Sequence, residues 1–510
     1  MPPLASERYL LGMPSEHVDV LIVGAGLSGI GAACHLQDNC PGKSYAILEA
    51  REASGGTWDL FRYPGIRSDS DMYTMGYSFR PWKHPKAIAD GPDILDYIRE
   101  TASEYGVDRR IHFGHRVVRA EWSTDEARWT VEAEWGDTQE TVHFTCGFLF
   151  TCCGYYRYDE GYTPEFEGAE RFGGRIVHPQ HWPEDVDYAG KQVVVIGSGA
   201  TAVTLVPTMA RSAAHVTMLQ RSPTYIVSLP AEDPVAKVIR RALPDKAAYT
   251  LMRWKNVLLT MLSFQLSRRR PRAMKALLRR MLERDLPPGY DIDRHFKPSY
   301  NPWDQRLCLV PDGDLFKSIR DGRASVVTDS VETFTEDGLA LASGAELEAD
   351  LIVTATGLDL VPLGDMEVSV DGRDIELPET LGYKGMMLEG VPNLAVAFGY
   401  TNASWTLKCD LTCEYVCRLL GHMDERGYRQ CTPRNRDPSV SAEPFVDFNS
   451  GYVLRAIDRF PKQGSKAPWR LHQNYARDIL LVRHGAIEDG AMEFSGKRST
   501  VGGPEYVAAA

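Results

Sequence analysis

Two glycine-rich turns constrain this chain more than any other feature: Gly24-x-Gly26-x-x-Gly29 and Gly197-x-Gly199-x-x-Ala202. Each follows an apolar, strand-like run, His17–Val23 and Gln192–Ile196, and each opens a stretch with helical spacing. A second short strand then follows, Tyr45–Leu48 after the first turn and His215–Leu219 after the second. In such a β–turn–α–β unit the first glycine allows the tight turn and the second lets the backbone approach a pyrophosphate. The third allows helix and strand to pack closely, and the helix N-terminus faces the negative charge. Glycines at this spacing alone are weak evidence; the flanking strands and helices make them specific. Gly24, Gly26, Ser28 and Gly29 are therefore expected to form one dinucleotide cradle. Gly197, Ser198, Gly199, Ala200, Thr201 and Ala202 are expected to form a second.

The two units differ at the tip of the next strand. The first ends at Glu49, a carboxylate placed to accept hydrogen bonds from an adenosine ribose diol. The second ends at Gln220-Arg221, where a guanidinium matches a 2′-phosphate in charge and shape and an acid would repel it. One acid-tipped and one arginine-tipped loop imply FAD first and NADPH second. The fold class expected is α/β, with two Rossmann-like dinucleotide-binding domains and a helical insertion. Leu, Met, Arg and Lys at helical spacing between Asp233 and Tyr290 suggest that insertion, and strand-like segments return from Ala324 to Gly357. The expected plan runs 1–150 (FAD domain, first part), 151–225 (NADP domain, first part), 226–304 (insertion), 305–390 (NADP domain, second part) and 391–510 (FAD domain, second part).

Composition narrows the class further. With 43% hydrophobic and 25% charged residues in 510, the chain has the balance of a globular protein. A net charge of −12 argues against bulk nucleic-acid binding. Ten cysteines without framework spacing suit a reducing cytosol, and Met1–Ser15 lacks the apolar core of an export signal. The longest apolar stretch, Val257–Leu266, falls well short of the ~20 residues a membrane span needs. A cytoplasmic location is the expectation.

The chemistry is chosen by Phe172-x-Gly174-x-x-x-His178-x-x-x-Trp182-Pro183, which lies just before the second glycine loop. It resembles the fingerprint of the type I Baeyer–Villiger monooxygenases; the related N- or S-hydroxylating flavin-containing monooxygenases carry other residues at the last two places. The likeness covers nearly the whole chain. Gly55-Gly56-Thr57-Trp58, Arg62-Tyr63-Pro64-Gly65, Asn301-Pro302-Trp303-Asp304-Gln305-Arg306-Leu307 and Gly399-Tyr400-Thr401-Asn402-Ala403-Ser404-Trp405 are most similar to the branch that includes the mycobacterial ethionamide-activating monooxygenase. The resemblance implies that Arg306 is the active-site arginine and Asp69 its carboxylate partner. It also implies that Thr57, Trp58, Asp59, Leu60, Arg67, Ser68 and Val117 join Asp69 around the cofactors, that Trp469 touches the NADP ribose, and that His178 couples the two domains. One departure stands out: Gln305 occupies a place where many members have lysine, so phosphate selectivity rests more on Arg221.

By that resemblance the enzyme uses NADPH and O2 to convert a small-molecule ketone to an ester or lactone through a C4a-peroxyflavin, with sulfides or thioamides as further acceptors. A fixed guanidinium suits the negative charge such a reaction develops, and arginine keeps its charge at any working pH. The rival reading is a hydroxylating flavin monooxygenase; Trp182-Pro183 argues against it.

Two features stay outside this chemistry. Cys409, Cys413 and Cys417 share a helical face and read better as core packing than as metal ligands, so no metal is expected. Residues 251–284 hold ten Arg or Lys against one acid, Glu283, interleaved with Leu, Met and Trp254. Here a solvated helical face is favoured over peripheral contact with an anionic membrane, and both readings stay open.

Overall fold

A computed structural model describes residues 16–446 and 448–496. The expectation about Met1–Ser15 lies outside them. The first glycine loop sits in a nine-stranded sheet whose parallel half is built by Glu16–Val23, Tyr45–Leu48, Ile111–His112, Glu140–Thr151 and Leu394–Val396. The strands flanking that loop are buried on both faces, which is why they read as continuous Val, Ile and Leu. An antiparallel half, His115–Ser123 and Arg128–Trp135, extends the sheet beside it.

The second loop sits in a separate five-stranded, wholly parallel sheet ordered Ala324–Thr328, His215–Gln220, Gln192–Ile196, Leu351–Thr354, Arg175–Val177. Its core is closed by helices Ala200–Met209 and Asp314–Arg320. An antiparallel ribbon of Tyr156–Gly161 and Leu358–Leu360 carries the chain out to this sheet and back. Where the ribbon ends, the Tyr162 amide donates to the Gly357 carbonyl at 3.1 Å.

The return differs from the sequence expectation. Glu367–Val370 already pairs with His115–Ser123, so the chain rejoins the first sheet there and not at 391. Sequence periodicity reveals a strand but not its partner, which explains the error. The insertion also begins with a strand, Ile226–Leu229, paired in parallel with Cys308–Pro311. Helices Pro234–Ala242, Asp245–Arg269, Pro271–Asp285 and Ile292–His295 follow.

Helix Leu27–Asn39, launched by the first loop, packs on the long helix Trp405–Arg426. The three aligned cysteines are buried there: Cys417 Sγ meets the His35 carbonyl at 3.5 Å, and burial pushes the Cys409 thiol up to about 12. A buried ionic cluster ties the insertion to this pair. Asp410 accepts from Arg253 at 3.0 Å and faces His35 at 3.3 Å, while Arg253 also donates to the Gly76 carbonyl at 2.7 Å. Arg253 thus leaves the basic surface stripe in which the sequence placed it.

Candidate functional site

The first loop opens into a cavity of about 670 Å³ that reaches from Gly24, Gly26, Ser28 and Glu49 to Asp69 and Arg306. Its floor is set by close packing. A Cβ at Gly29 would lie 1.8 Å from the Gly24 carbonyl oxygen, so only glycine lets the helix approach the turn. That helix begins at Leu27 with no side-chain cap, leaving its first amides free toward the cavity. Glu49 is buried at the strand tip. It accepts from the Ala25 amide at 2.7 Å and the Arg51 amide at 3.0 Å, which fixes the carboxylate against the loop itself. Burial pushes its carboxyl up from the ordinary value while those amides pull it down. Loop, free helix terminus and buried acid together fit the adenine dinucleotide of FAD.

Of the other residues expected here, Thr57, Trp58 and Val117 line the cavity. The Thr57 hydroxyl pairs with that of Tyr158 at 3.4 Å, and Ser28 Oγ accepts from the Trp405 indole at 2.9 Å. Four expected residues do not line it. One turn of helix, Thr57–Leu60, turns Thr57 and Trp58 inward and sends the next two residues elsewhere. Asp59 is buried beneath three guanidinium groups, at 2.6 Å from Arg51, 2.7 Å from Arg99 and 3.3 Å from Arg62. Leu60 packs on the core of the second sheet. Ser68 exchanges hydrogen bonds with the Ala89 backbone. Arg67 reaches across to Asp314 at 2.5 Å and to the Val203 carbonyl, in the helix launched by the second loop. A family segment read residue by residue transfers which turn lies near a cofactor, but not which way each side chain points.

Arg306 and Asp69 meet as expected, Nε to Oδ2 at 2.7 Å, both partly exposed to the cavity. Burial works against the Arg306 charge, but the facing Asp69 carboxylate outweighs it and holds its pKa above the ordinary arginine value. Burial in turn keeps Tyr155 and Tyr156 protonated, and their hydroxyls stand 3.3 Å apart. Sequence reasoning missed both tyrosines. Two residues beyond Arg306, Cys308 Sγ meets the Ser198 carbonyl of the second loop at 3.8 Å. The Arg306–Asp69 pair therefore lies between the two cradles.

The second cradle is shallower. Gly197 takes φ +142°, and a Cβ there would meet the Ala355 carbonyl oxygen at 2.3 Å. Ser198 donates to the Ser222 carbonyl, Gly199 and Ala200 are exposed, and Thr201 pairs with the Tyr63 hydroxyl. Ala202 is fully buried, so here the third position tolerates a methyl. Arg221 is exposed, free to meet a phosphate. Gln220 is not: buried, it donates to the His295 carbonyl at 2.8 Å and to Thr328 at 2.9 Å, which makes it a brace for the strand. Trp469 is also corrected. It is 2% exposed, packed against Tyr383 in the core beneath the first sheet, and offers no face to a nucleotide at the second loop. Gln305 donates to the Asn449 carbonyl. Arg455 was missed by sequence reasoning; its guanidinium lies 3.4 Å over the Tyr162 ring. Burial lowers its pKa, and the positive charge of Arg221 lowers it further.

The fingerprint proves to be joinery. Phe172 packs on Phe334, and a Cβ at Gly174 would strike the Asp350 carbonyl. His178 is wedged against Gly161, at the foot of the ribbon between the sheets. Burial lowers its pKa, opposed by the Gly357 carbonyl.

Against known proteins, residues 19–371 match the family described as FMO-like, flavin-binding monooxygenase-like. The chain is 57% identical over 489 residues to the FAD-containing monooxygenase EthA of Mycobacterium tuberculosis, covering 96% of this chain and all of the relative. It is 55% identical over 488 residues to EthA of Mycolicibacterium smegmatis, covering 96% and 99%. Among solved structures it resembles an oxidized steroid monooxygenase bound to NADP, with TM-score 0.75 and 22% identity over 94% of this chain and 99% of that one.

Proposed function

The chain belongs to the flavin-binding monooxygenase-like family, and from that premise we propose that it is an FAD- and NADPH-dependent Baeyer–Villiger monooxygenase acting on small-molecule ketones. Ketone, O2, NADPH and a proton give ester or lactone, NADP+ and water. The carrying observation is the position of Arg306. It is paired with Asp69 on the wall of the cavity that holds the first loop, and it lies two residues from a contact with the second.

When bound, FAD supplies the redox step, taking a hydride from NADPH and delivering one oxygen atom of O2. The chain supplies binding, charge and exclusion of water. Gly24, Gly26 and the uncapped helix terminus hold the pyrophosphate, Glu49 the ribose. Arg306 holds the negative charge that develops at the transferred oxygen and at the substrate carbonyl oxygen, an effect of ~3–4 kcal/mol for a well-placed donor. Asp69 fixes the guanidinium plane through its 2.7 Å contact. Tyr155 and Tyr156 remain neutral, so they donate hydrogen bonds without adding charge. Arg221 selects the 2′-phosphate and Arg455 assists it, taking the part that a lysine at 305 plays elsewhere. Sulfides and thioamides are further acceptors for the same oxygen. No helix among the described residues is long and apolar enough to cross a membrane. We place the enzyme in the cytoplasm, with the basic helices 251–284 as its surface for peripheral membrane contact.

Arg306→Ala separates these roles. Stopped-flow absorbance should show flavin reduction by NADPH at close to the parent rate, while ester formation falls by ~100-fold or more. Ester yield at the parent level would remove Arg306 from the reaction.

A further inference from the structure

Exposed large apolar side chains are concentrated in one part of this molecule. Of fifteen among the described residues, eleven fall between Leu229 and Leu277. The densest set, Leu251, Trp254, Leu258, Leu259, Leu262 and Leu266, forms a stripe along the outer face of helix Asp245–Arg269, with Leu262 65% exposed. At 1.5 Å per residue the stripe is roughly 22 Å long. It is far from an ordinary solvated face, where such side chains are scattered singly.

The turn at the end of the stripe and the next helix carry Arg269, Arg270, Arg272 and Arg280, all exposed and without an ion pair among the described residues. The acids nearby are already engaged, Asp304 by Arg268 and Asp293 by Arg279. An apolar stripe bordered by unpaired cations in a protein of net charge −12 is complementary to a surface with an apolar interior and negative rim.

The inner face of the same helix leads toward the active site. Val257, Met261 and Phe264 line a narrow crevice of about 20 Å³, whose far wall includes Tyr400 and Ala403. Those two residues also line the flavin cavity. One helix, ~10–12 Å across with its side chains, thus separates the outer stripe from the cavity wall. Met261 on that wall is an unbranched, adaptable side chain able to move as the crevice widens.

We propose that the outer face of helix Asp245–Arg269 seats on an anionic phospholipid bilayer, and that a membrane-dissolved, long-chain ketone passes along the inner face of that helix to the cavity. The substrate class rests on the Baeyer–Villiger reading; the docking does not. The test floats the full-length holoenzyme with vesicles of phosphatidylcholine plus phosphatidylglycerol, and with phosphatidylcholine alone. Flotation with the anionic vesicles only is expected. It should fall by ~10-fold or more in Leu258→Glu/Leu262→Glu and in Arg269→Glu/Arg272→Glu, whose sites are solvent-exposed. Turnover is then compared for 2-butanone in solution and for a long-chain 2-alkanone dissolved in the anionic vesicles. The leucine variant should keep its rate on the first and lose several-fold on the second. Absence of wild-type flotation, or equal flotation of both variants, overturns the docking. So does a wild-type dimer in light scattering that the leucine variant makes monomeric, since the stripe would then belong to a second copy. Equal loss on both ketones overturns the path. Normal flotation with no ester from either ketone in the wild type leaves the docking standing and removes the reaction assigned above.

Discussion

The two glycine loops share a sequence pattern and differ in nearly everything around it. The first is the floor of a deep cavity, its acid buried and hydrogen-bonded to the loop, its helix pinned through His35 to Asp410 and Arg253. The second lies open, with Arg221 exposed at its tip and Pro207 inside helix Ala200–Met209. The difference teaches how one motif serves two residence times: a cofactor that stays is enclosed and its loop is over-determined, while one that must leave each turnover meets a shallow, charged rest.

The largest expected effect tests that contrast at the third position. Gly29→Ala places a methyl against the Gly24 carbonyl and should cost about 3 kcal/mol or more, read as lost bound-flavin absorbance and a lower denaturant midpoint. The matching change Ala202→Gly should cost about 1 kcal/mol or less. Comparable losses would erase the distinction. Next, Arg221→Ala should raise KM for NADPH by roughly 10–100-fold, the range of a hydrogen bond to a charged group, and leave KM for NADH unchanged. Arg455→Ala should raise it by less, about 3–10-fold, because Arg455 is held by Tyr162 and shares its charge field with Arg221. Steady-state kinetics with both nicotinamides separates these from a general loss of fold.

The smallest effect concerns the pinned helix. Burial alone would lower the pKa of His35, but its hydrogen bond and charge contact with Asp410 raise it above the ordinary 6.5. Its stabilising contribution is therefore complete below pH 6.5 and declines as pH rises through the higher folded value. Melting temperature should fall over that upper window in the wild type, and His35→Gln should flatten the fall. An equal slope in both would detach the histidine from the stability of the first cradle.

Both loops, the acid and arginine at their strand tips and the Arg306–Asp69 pair were legible in the sequence, because each is a local pattern with a fixed chemical demand. What escaped reading depends on direction or on distant partners. Thr57 and Asp59 are two residues apart on one helical turn, one facing the cavity and one beneath three arginines. Gln220 closes its strand buried against His295 and Thr328, while Arg221, the next residue, is exposed. Trp469 carries no local signal of its burial against Tyr383. Nothing local in Glu367–Val370 names His115–Ser123 as its partner, so the point of return to the first sheet was invisible without the fold.

The hydrogen bond from Tyr162 to Gly357 marks where the chain departs for the second sheet and where it comes back. All that lies between, nearly two hundred residues, is threaded through this one doorway, and the insertion then grips the first domain again through Arg253 on Asp410. Its two threads leave the host side by side, but an exchange for a unit with different coenzyme taste would have to carry over the partners of Asp410 and Arg67 as well.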